Sequence, residues 1–358
     1  MAKQKVSIKQ VADAAGVSIA TVSNVFSGKK PVKSELANQV RMEAERLGYR
    51  VNRAASNLRS GESKIVPILV PDMSDPFFTS LIMEIEKQAH TDGFEIIVAN
   101  TKDDVKVEHG RISALMSWQP AGMIVVPVSD DVPEQFYKLR NELPIVLVDR
   151  GTEIEGFDTI RVNNARAGAQ SAEHLAQLGH RRLLIVASDL RLHGVRERCR
   201  GAVEQFEANG GSAEIVEVGP VPQQGAEHIG RWLDAHQIPT AIFAVTDMTT
   251  LAALTCLAER KLEVSKDVAL VGFDDYPWMS ARRTPITAVR QPIEKIAAAA
   301  WMKLKNGMSG KDNAAISRPL CCTMEIRAST LDAPDSSLSD GMAPKIPIKK
   351  LRQNIEPE

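Results

Sequence analysis

The chain has 358 residues, enough for about two domains, and a net charge of −1 that by itself points to no polyanionic partner. Its four cysteines (Cys199, Cys256, Cys321 and Cys322) lack the spacing of a zinc site or a disulfide framework, which fits a reducing compartment. The polar start Met-Ala-Lys-Gln-Lys does not read as a secretory signal and no apolar run reaches about 18 residues, so a cytoplasmic location without a membrane partner is expected.

Charge is distributed unevenly. Residues 1–64 carry twelve Lys/Arg against five Asp/Glu, a net +7, which leaves −8 for the rest. A basic module on an acidic body is the footprint of a nucleic-acid-binding segment. Within it, Ser7 followed by Gln10 predicts a capped helix with Ile8, Val11, Ala12 and Ala15 on one face. Gly16-Val17 breaks it, and Ser18 is placed to cap a second helix carrying Val22 and Val25. Ser34 is placed to cap a third, with Ala37, Val40, Ala44 and Leu47 in a stripe that Gly48 ends. Residues 52–59 form a further short helical candidate.

From Lys64 onward, β-rich apolar runs alternate with helical stretches, at 65–70, 96–99, 123–128, 145–148, 183–187, 215–218, 241–245 and 268–273. Runs apolar on both faces imply parallel sheets covered by helices. The pattern restarts after residues 149–164, which predicts two α/β lobes with a ligand cleft at the strand carboxyl ends. Pro67 is unusual for a central strand. The expected division is a helical domain over 1–50, a hinge helix and linker over 51–63, a two-lobed sensor over 64–330 and a disordered tail over 331–358.

The segment from Ile8 to Gly28 has the layout of a helix-turn-helix, with the second helix placed to enter the DNA major groove. Its motif Ala15-Gly-Val-Ser-x-x-Thr-Val-Ser23, followed by Leu47-Gly-Tyr-x-x-Asn-Arg-Ala-Ala55, resembles the lac repressor family of bacterial regulators. The resemblance implies that Ile19, Ala20 and Asn24 read bases. It also implies that Ser18, Thr21, Ser23, Ser27 and Arg53 hold phosphates, and that Leu58 wedges into the minor groove from the hinge helix. Two departures stand out: Asn24 occupies a position where the family usually has Arg, and Val51 one where it often has Pro. Asn suits adenine better than guanine.

The resemblance continues to about residue 330 through Pro71-Asp-Met-Ser-Asp-Pro-Phe-Phe78, Leu178-Gly-His-Arg-Arg182 and Val271-Gly-Phe-Asp-Asp275. It implies a fold like periplasmic sugar-binding proteins and an effector site built from Asp72, Phe77, Phe78, Arg150, Arg198 and Asp247. Trp278 is an additional candidate, and Asn163, Asn164 and Gln291 are expected near the crossings between lobes. Two guanidiniums facing one carboxylate favour a sugar acid over a neutral sugar, unless Asp72 or Asp149 offsets the charge. The family's tetramers carry a leucine-rich C-terminal heptad; Leu331, Leu338 and Leu351 lack that spacing, so a homodimer on double-stranded operator DNA is expected. No nucleotide loop, nucleophile elbow or metal-spaced histidine pair is present, so neither cofactor nor catalysis is expected. A sugar carrier or an enzyme on the same fold are the alternatives.

Overall fold

The computed structural model describes residues 6–27, 30–49, 63–130, 134–151, 156–311 and 318–330. The expected hinge helix at 52–59, with Arg53 and Leu58, and the expected tail lie outside the described residues. The chain divides into two units, Met1–Lys64 and Ile65–Glu358.

The first unit is three helices, α1 (Ile8–Ala14), α2 (Ile19–Ser27) and α3 (Ser34–Leu47). Ser7 and Gln10 close the expected capping box: Gln10 N donates to Ser7 Oγ at 3.3 Å and Ser7 N to Gln10 Oε1 at 2.8 Å. Gly16 (φ +63°) makes the turn and Gly48 (φ +69°) ends α3, both in the left-handed region that glycine enters without cost. Val11, Ala12, Ala15, Val22, Val40 and Ala44 form the core. The third helix departs from expectation at its start. Ser34 is its first helical residue and Lys33 stands at the N-cap with no side-chain bond.

The second unit contains two sheets. The first has order β2-β1-β3-β4-β5 and is built from β1 (Ile65–Val70), β2 (Glu95–Asn100), β3 (Met123–Val125), β4 (Ile145–Val148) and β5 (Asp158–Ile160), all parallel. Helices α4 (Pro76–Thr91), α5 (Val105–Met116) and α6 (Glu134–Leu139) connect them. Pro67 is paired in register with Ile97, but the β1–β3 ladder begins only at Ile68, so its missing N–H falls where that ladder has not started.

The second sheet comprises β6 (Arg182–Ala187), β7 (Ser212–Glu217), β8 (Ala241–Ala244), β9 (Ala269–Phe273), β10 (Thr287–Arg290) and β11 (Thr323–Glu325). Its order is β11-β10-β9-β8-β6-β7, with only β10–β11 antiparallel. Its helices are α7 (Asn164–Gln177), α8 (His193–Ala208), α9 (Pro222–Ala235), α10 (Asp247–Glu259) and the short α11 (Pro277–Ser280). The chain crosses between lobes after β5, after β10 and before β11. Asn163 N donates to Leu320 O and Leu320 N to Arg161 O, each at 2.8 Å, stitching the last crossing to the first. Helix α12 (Ile293–Met308) follows the second crossing and packs on α4 in the first lobe. Trp301 Nε1 donates there to Asp92 at 2.7 Å, and the buried Lys303 pairs with Asp158 at 3.0 Å.

Candidate DNA-reading helix and interlobe cleft

In the first unit, α2 presents its N-terminal residues outward. Ile19 is 45% exposed and Ala20 is exposed, while Val22 is buried and anchors the helix. Ser18 caps α2 by accepting from Thr21 N at 3.1 Å, and the two hydroxyls lie 2.9 Å apart. Thr21, Ser23 and Asn24 are half-buried; Ser27 ends the helix, and its side chain lies outside the described residues. Gln39 donates to Ala15 O at 3.2 Å, fixing the turn against α3. Phe26, not among the expected contacts, is 37% exposed and tilted on Tyr49 at 5.9 Å.

In the second unit, polar groups gather at the carboxyl ends of both sheets. Arg198 is at the centre: it is 6% exposed, donates from Nε to Asn164 Oδ1 and from Nη1 to Val245 O, both at 2.8 Å, and lies 3.7 Å over the Phe273 ring. Two glycines put it there. A Cβ on Gly201 of α8 would stand 2.0 Å from Ala165 O, and one on Gly168 of α7 would stand 1.9 Å from Arg198 O. The helices cross backbone to backbone, which brings Asn164 and Arg198 together.

Around that guanidinium stand more carboxylates than expected. Asp247, the first residue of α10, is 3% exposed, and burial pushes its carboxyl up to about 6 despite two N–H donors and Arg198. Asp274 follows β9 and is driven to about 7 by burial, with Arg198 and the Gln291 amide opposing. Gln291 Nε2 donates to Asp274 Oδ1 at 2.7 Å. Asp149 follows β4, and burial raises its pKa against the pull of Arg198 and Arg150. Asp75, the N-cap of α4, also reaches about 7 through burial and the nearby Asp274.

Several expected site residues therefore change roles. Asp72 is exposed and its carboxylate is spent on its own loop, accepting from Ser74 N at 2.8 Å and Ser74 Oγ at 2.7 Å. Asp75, three residues on, is the carboxylate that faces the second lobe. Phe77 and Phe78 are each 4% exposed and pack edge to face at 5.3 Å, so they are core, not open stacking walls. Arg150 donates to Asp103 and to Val128 O, and its charge is answered within the first lobe. Trp278 is half-buried against both hydrophobic clusters of the second lobe. Asn163 caps α7 through Arg166 N at 3.0 Å, whereas Asn164 serves the site. Asp149, Asp247 and Asp274 stand near Arg198 and Asp75 near Asp274, so the cleft holds more acids than the single carboxylate expected. Asp75 and Asp274 stood inside the sequence motifs at 71–78 and 271–275 without an assigned role.

A three-helix DNA-binding unit joined to a two-lobed α/β domain with a polar cleft defines a ligand-binding-domain transcriptional regulator. Residues 7–52 match bacterial regulatory proteins of the lacI family, and residues 172–330 match the periplasmic binding protein-like domain. The chain belongs to the lacI family. It is similar to the HTH-type transcriptional regulator PtxS of Pseudomonas putida, at 32% identity over 92% of this chain and 97% of that protein. Among solved structures it resembles the lac repressor dimer bound to operator and an anti-inducer, with a TM-score of 0.81 and 22% identity over 92% of this chain and 100% of that one. It also resembles a complex of the regulator CelR with cellobiose, with a TM-score of 0.69 and 23% identity over 91% of this chain and 100% of that one. These relatives are regulators, not enzymes. Among the described residues, no helix is long and apolar enough to cross a membrane.

Proposed function

We propose that the chain is a cytoplasmic, homodimeric repressor whose affinity for a palindromic operator changes when a small polyhydroxylated effector sits between the lobes. On the DNA side, Ile19, Ala20 and Asn24 read bases, while Ser18, Thr21, Ser23, Ser27 and Arg53 hold phosphates and Leu58 wedges the minor groove. The exposure of Ile19 and Ala20 at the start of α2 supports this. One headpiece reads a half-site, so a dimer is required for the full operator.

The observation that carries the sensor reading is Arg198, a buried guanidinium ringed by Asp149, Asp247 and Asp274 at the strand ends. Such a cluster accepts hydrogen bonds from hydroxyls, and the structurally similar regulator CelR forms a complex with cellobiose, a neutral sugar. A sugar acid, the class expected from a positive cleft, would enter a cleft where Asp149, Asp247 and Asp274 outnumber Arg198, whose own donors go to Asn164 Oδ1 and Val245 O. The acceptor count supports a neutral sugar instead. A thermal-shift screen of neutral sugars against their aldonic acids, followed by operator titration at fixed salt, tests this. A shift with acids alone rejects the neutral class, and a protein lacking residues 1–64 that still binds operator specifically rejects the DNA assignment.

A further inference from the structure

We propose that effector binding releases a proton from the carboxyl cluster around Asp274, so that operator control by this chain is tuned by pH near neutrality. This rests on the reading of a neutral, hydroxyl-bearing effector between the lobes.

The geometry begins with groups left without hydrogen bonds in a place where that is costly. Gln291 is 5% exposed; its Nε2 is committed to Asp274, and its Oε1 is buried with no partner among the described residues. Tyr276 is 7% exposed, and its hydroxyl lies beside Asp75 without a hydrogen bond of normal geometry. Buried polar atoms are nearly always satisfied, so the Gln291 oxygen requires a partner that the described residues do not supply. Gln291 and Tyr276 face the same cluster. Asp75 enters it from α4, Asp149 from the end of β4, Asp247 from α10, Asp274 from the end of β9 and Cys322 from the last crossing. Arg198 from α8 is the cation acting on Asp149, Asp247 and Asp274, with Arg150 adding to it at Asp149. Burial comes first, and Asp75, Asp247 and Asp274 repel one another, so the cluster retains protons that separate solvated carboxylates would lose.

A bound polyol changes the balance. One ligand hydroxyl donates to the open oxygen of Asp274, and a second donates to Gln291 Oε1. The Asp274 anion then has the Gln291 amide, Arg198 and the ligand as donors, which favours its charged form. The carboxyl O–H bond breaks and its proton passes to solvent; the ligand keeps its own hydroxyl protons and no other bond changes. Because the free cluster titrates near 7 at Asp75 and Asp274, the release falls at neutral pH.

The test is titration calorimetry on the full chain with D-glucose, D-ribose and cellobiose, each run at pH 7 in phosphate and in Tris, whose ionisation heats differ widely. D-gluconate is the acidic arm. The expected result is a neutral sugar whose binding heat differs between the buffers by about one proton released per site. Its affinity should be about tenfold tighter at pH 8 than at pH 6. Buffer-independent heats for a neutral sugar that binds overturn the proton linkage and leave the proposed function standing. Binding by D-gluconate alone, with proton uptake, overturns the neutral-effector reading and the linkage with it.

Discussion

Substituting Gly201 by Ala places a methyl carbon 2.0 Å from Ala165 O, a backbone atom that cannot rotate away. A carbon–oxygen contact needs about 3.3 Å, so α7 and α8 must separate by about 1.3 Å at their crossing. Arg198 lies one turn before Gly201 on α8, and its 2.8 Å bond to Asn164 spans the same crossing. Separation by that amount takes the bond beyond hydrogen-bonding distance. Overpacking costs about 1–3 kcal/mol, and leaving a buried guanidinium short of a partner about 1–3 kcal/mol more. For a domain of this size, roughly 2–4 °C of melting temperature is lost per kcal/mol, which predicts a fall of about 5–15 °C. The backbone φ of Gly201 is not in the left-handed region, so the loss reports packing and not glycine's conformational freedom. Differential scanning fluorimetry of the full chain gives the stability, and calorimetry with any bound sugar gives the cleft. Gly168→Ala should reproduce both losses from the other side, since its Cβ would meet Arg198 O. An unchanged melting temperature together with undiminished effector affinity in either variant would refute the argument that this crossing seats Arg198.

Arg196 on α8 reaches Asp130 in the first lobe at 3.4 Å, an ion pair across the cleft. Arg196→Gln should weaken effector binding by about twofold to fivefold at low salt and by little at high salt, as an exposed pair of about 0.2–1 kcal/mol does; equal losses at both salts would assign the residue to packing. His180 is 2% exposed and burial, with Arg181, lowers its pKa to about 4, below the unfolded value of 6.5. Between those values the unfolded chain binds more protons, so His180 costs stability increasingly as pH falls below about 6.5. His180→Phe should therefore gain about 2 kcal/mol on the parent in going from pH 7 to pH 5, and a pH-independent difference in urea midpoints would contradict the burial argument. Asn24→Arg should move base preference towards guanine at one symmetric operator position by about 1–3 kcal/mol. The same consensus selected by both proteins from randomised operators would show that residue 24 faces no base.

Elements with strong local signals were legible in the sequence. The capping box at Ser7, the stripes of the three helices and the eight apolar runs each rest on interactions between near neighbours. Missed were β5, β10 and β11, strands of three or four residues such as Asp158–Ile160 and Thr323–Glu325, whose polar composition resembles loop. Tertiary pairing makes them strands, not propensity. Strand 123–128 is shorter than expected because residues 126–128 leave the sheet to line the cleft edge, where Val128 N and O meet Glu108 and Arg150. In the cleft, Asp247 was legible as a strand-end acid and Arg198 from its place three residues before Gly201 in the family pattern. The contrast between Asp72 and Asp75 was not. Both stand in one loop, and only the three-dimensional path decides which carboxylate turns inward. Arg150 likewise looked unpaired because its partner Asp103 is 47 residues away.

Two of the cleft's acids, with two others beyond strand ends, share a backbone property. Asp103, Asp149, Asp274 and Asp275 all have positive φ, at +53°, +64°, +76° and +35°. Asp149 and Asp274 directly follow β4 and β9, Asp275 comes next, and Asp103 lies three residues past β2. A non-glycine residue held there costs on the order of 1 kcal/mol, and Asp is among the side chains that tolerate it best. Strands ending in buried runs such as Ile145–Val148 and Ala269–Phe273 fix the backbone so firmly that the following residue must turn sharply. That turn aims a short carboxylate across the strand ends and not along them. Asp149 and Asp274 are turned into the space beside Arg198, while Asp103 holds Arg150 and Asp275 holds Arg327. At Asp149 and Asp274 strain and desolvation coincide, because the geometry that points the carboxylate into the cleft also removes it from water. Cooperative packing elsewhere in the lobes offsets both. A ligand supplying hydrogen-bond donors then recovers part of the desolvation while leaving the backbone as it is, which couples effector binding to the stability of both lobes at once.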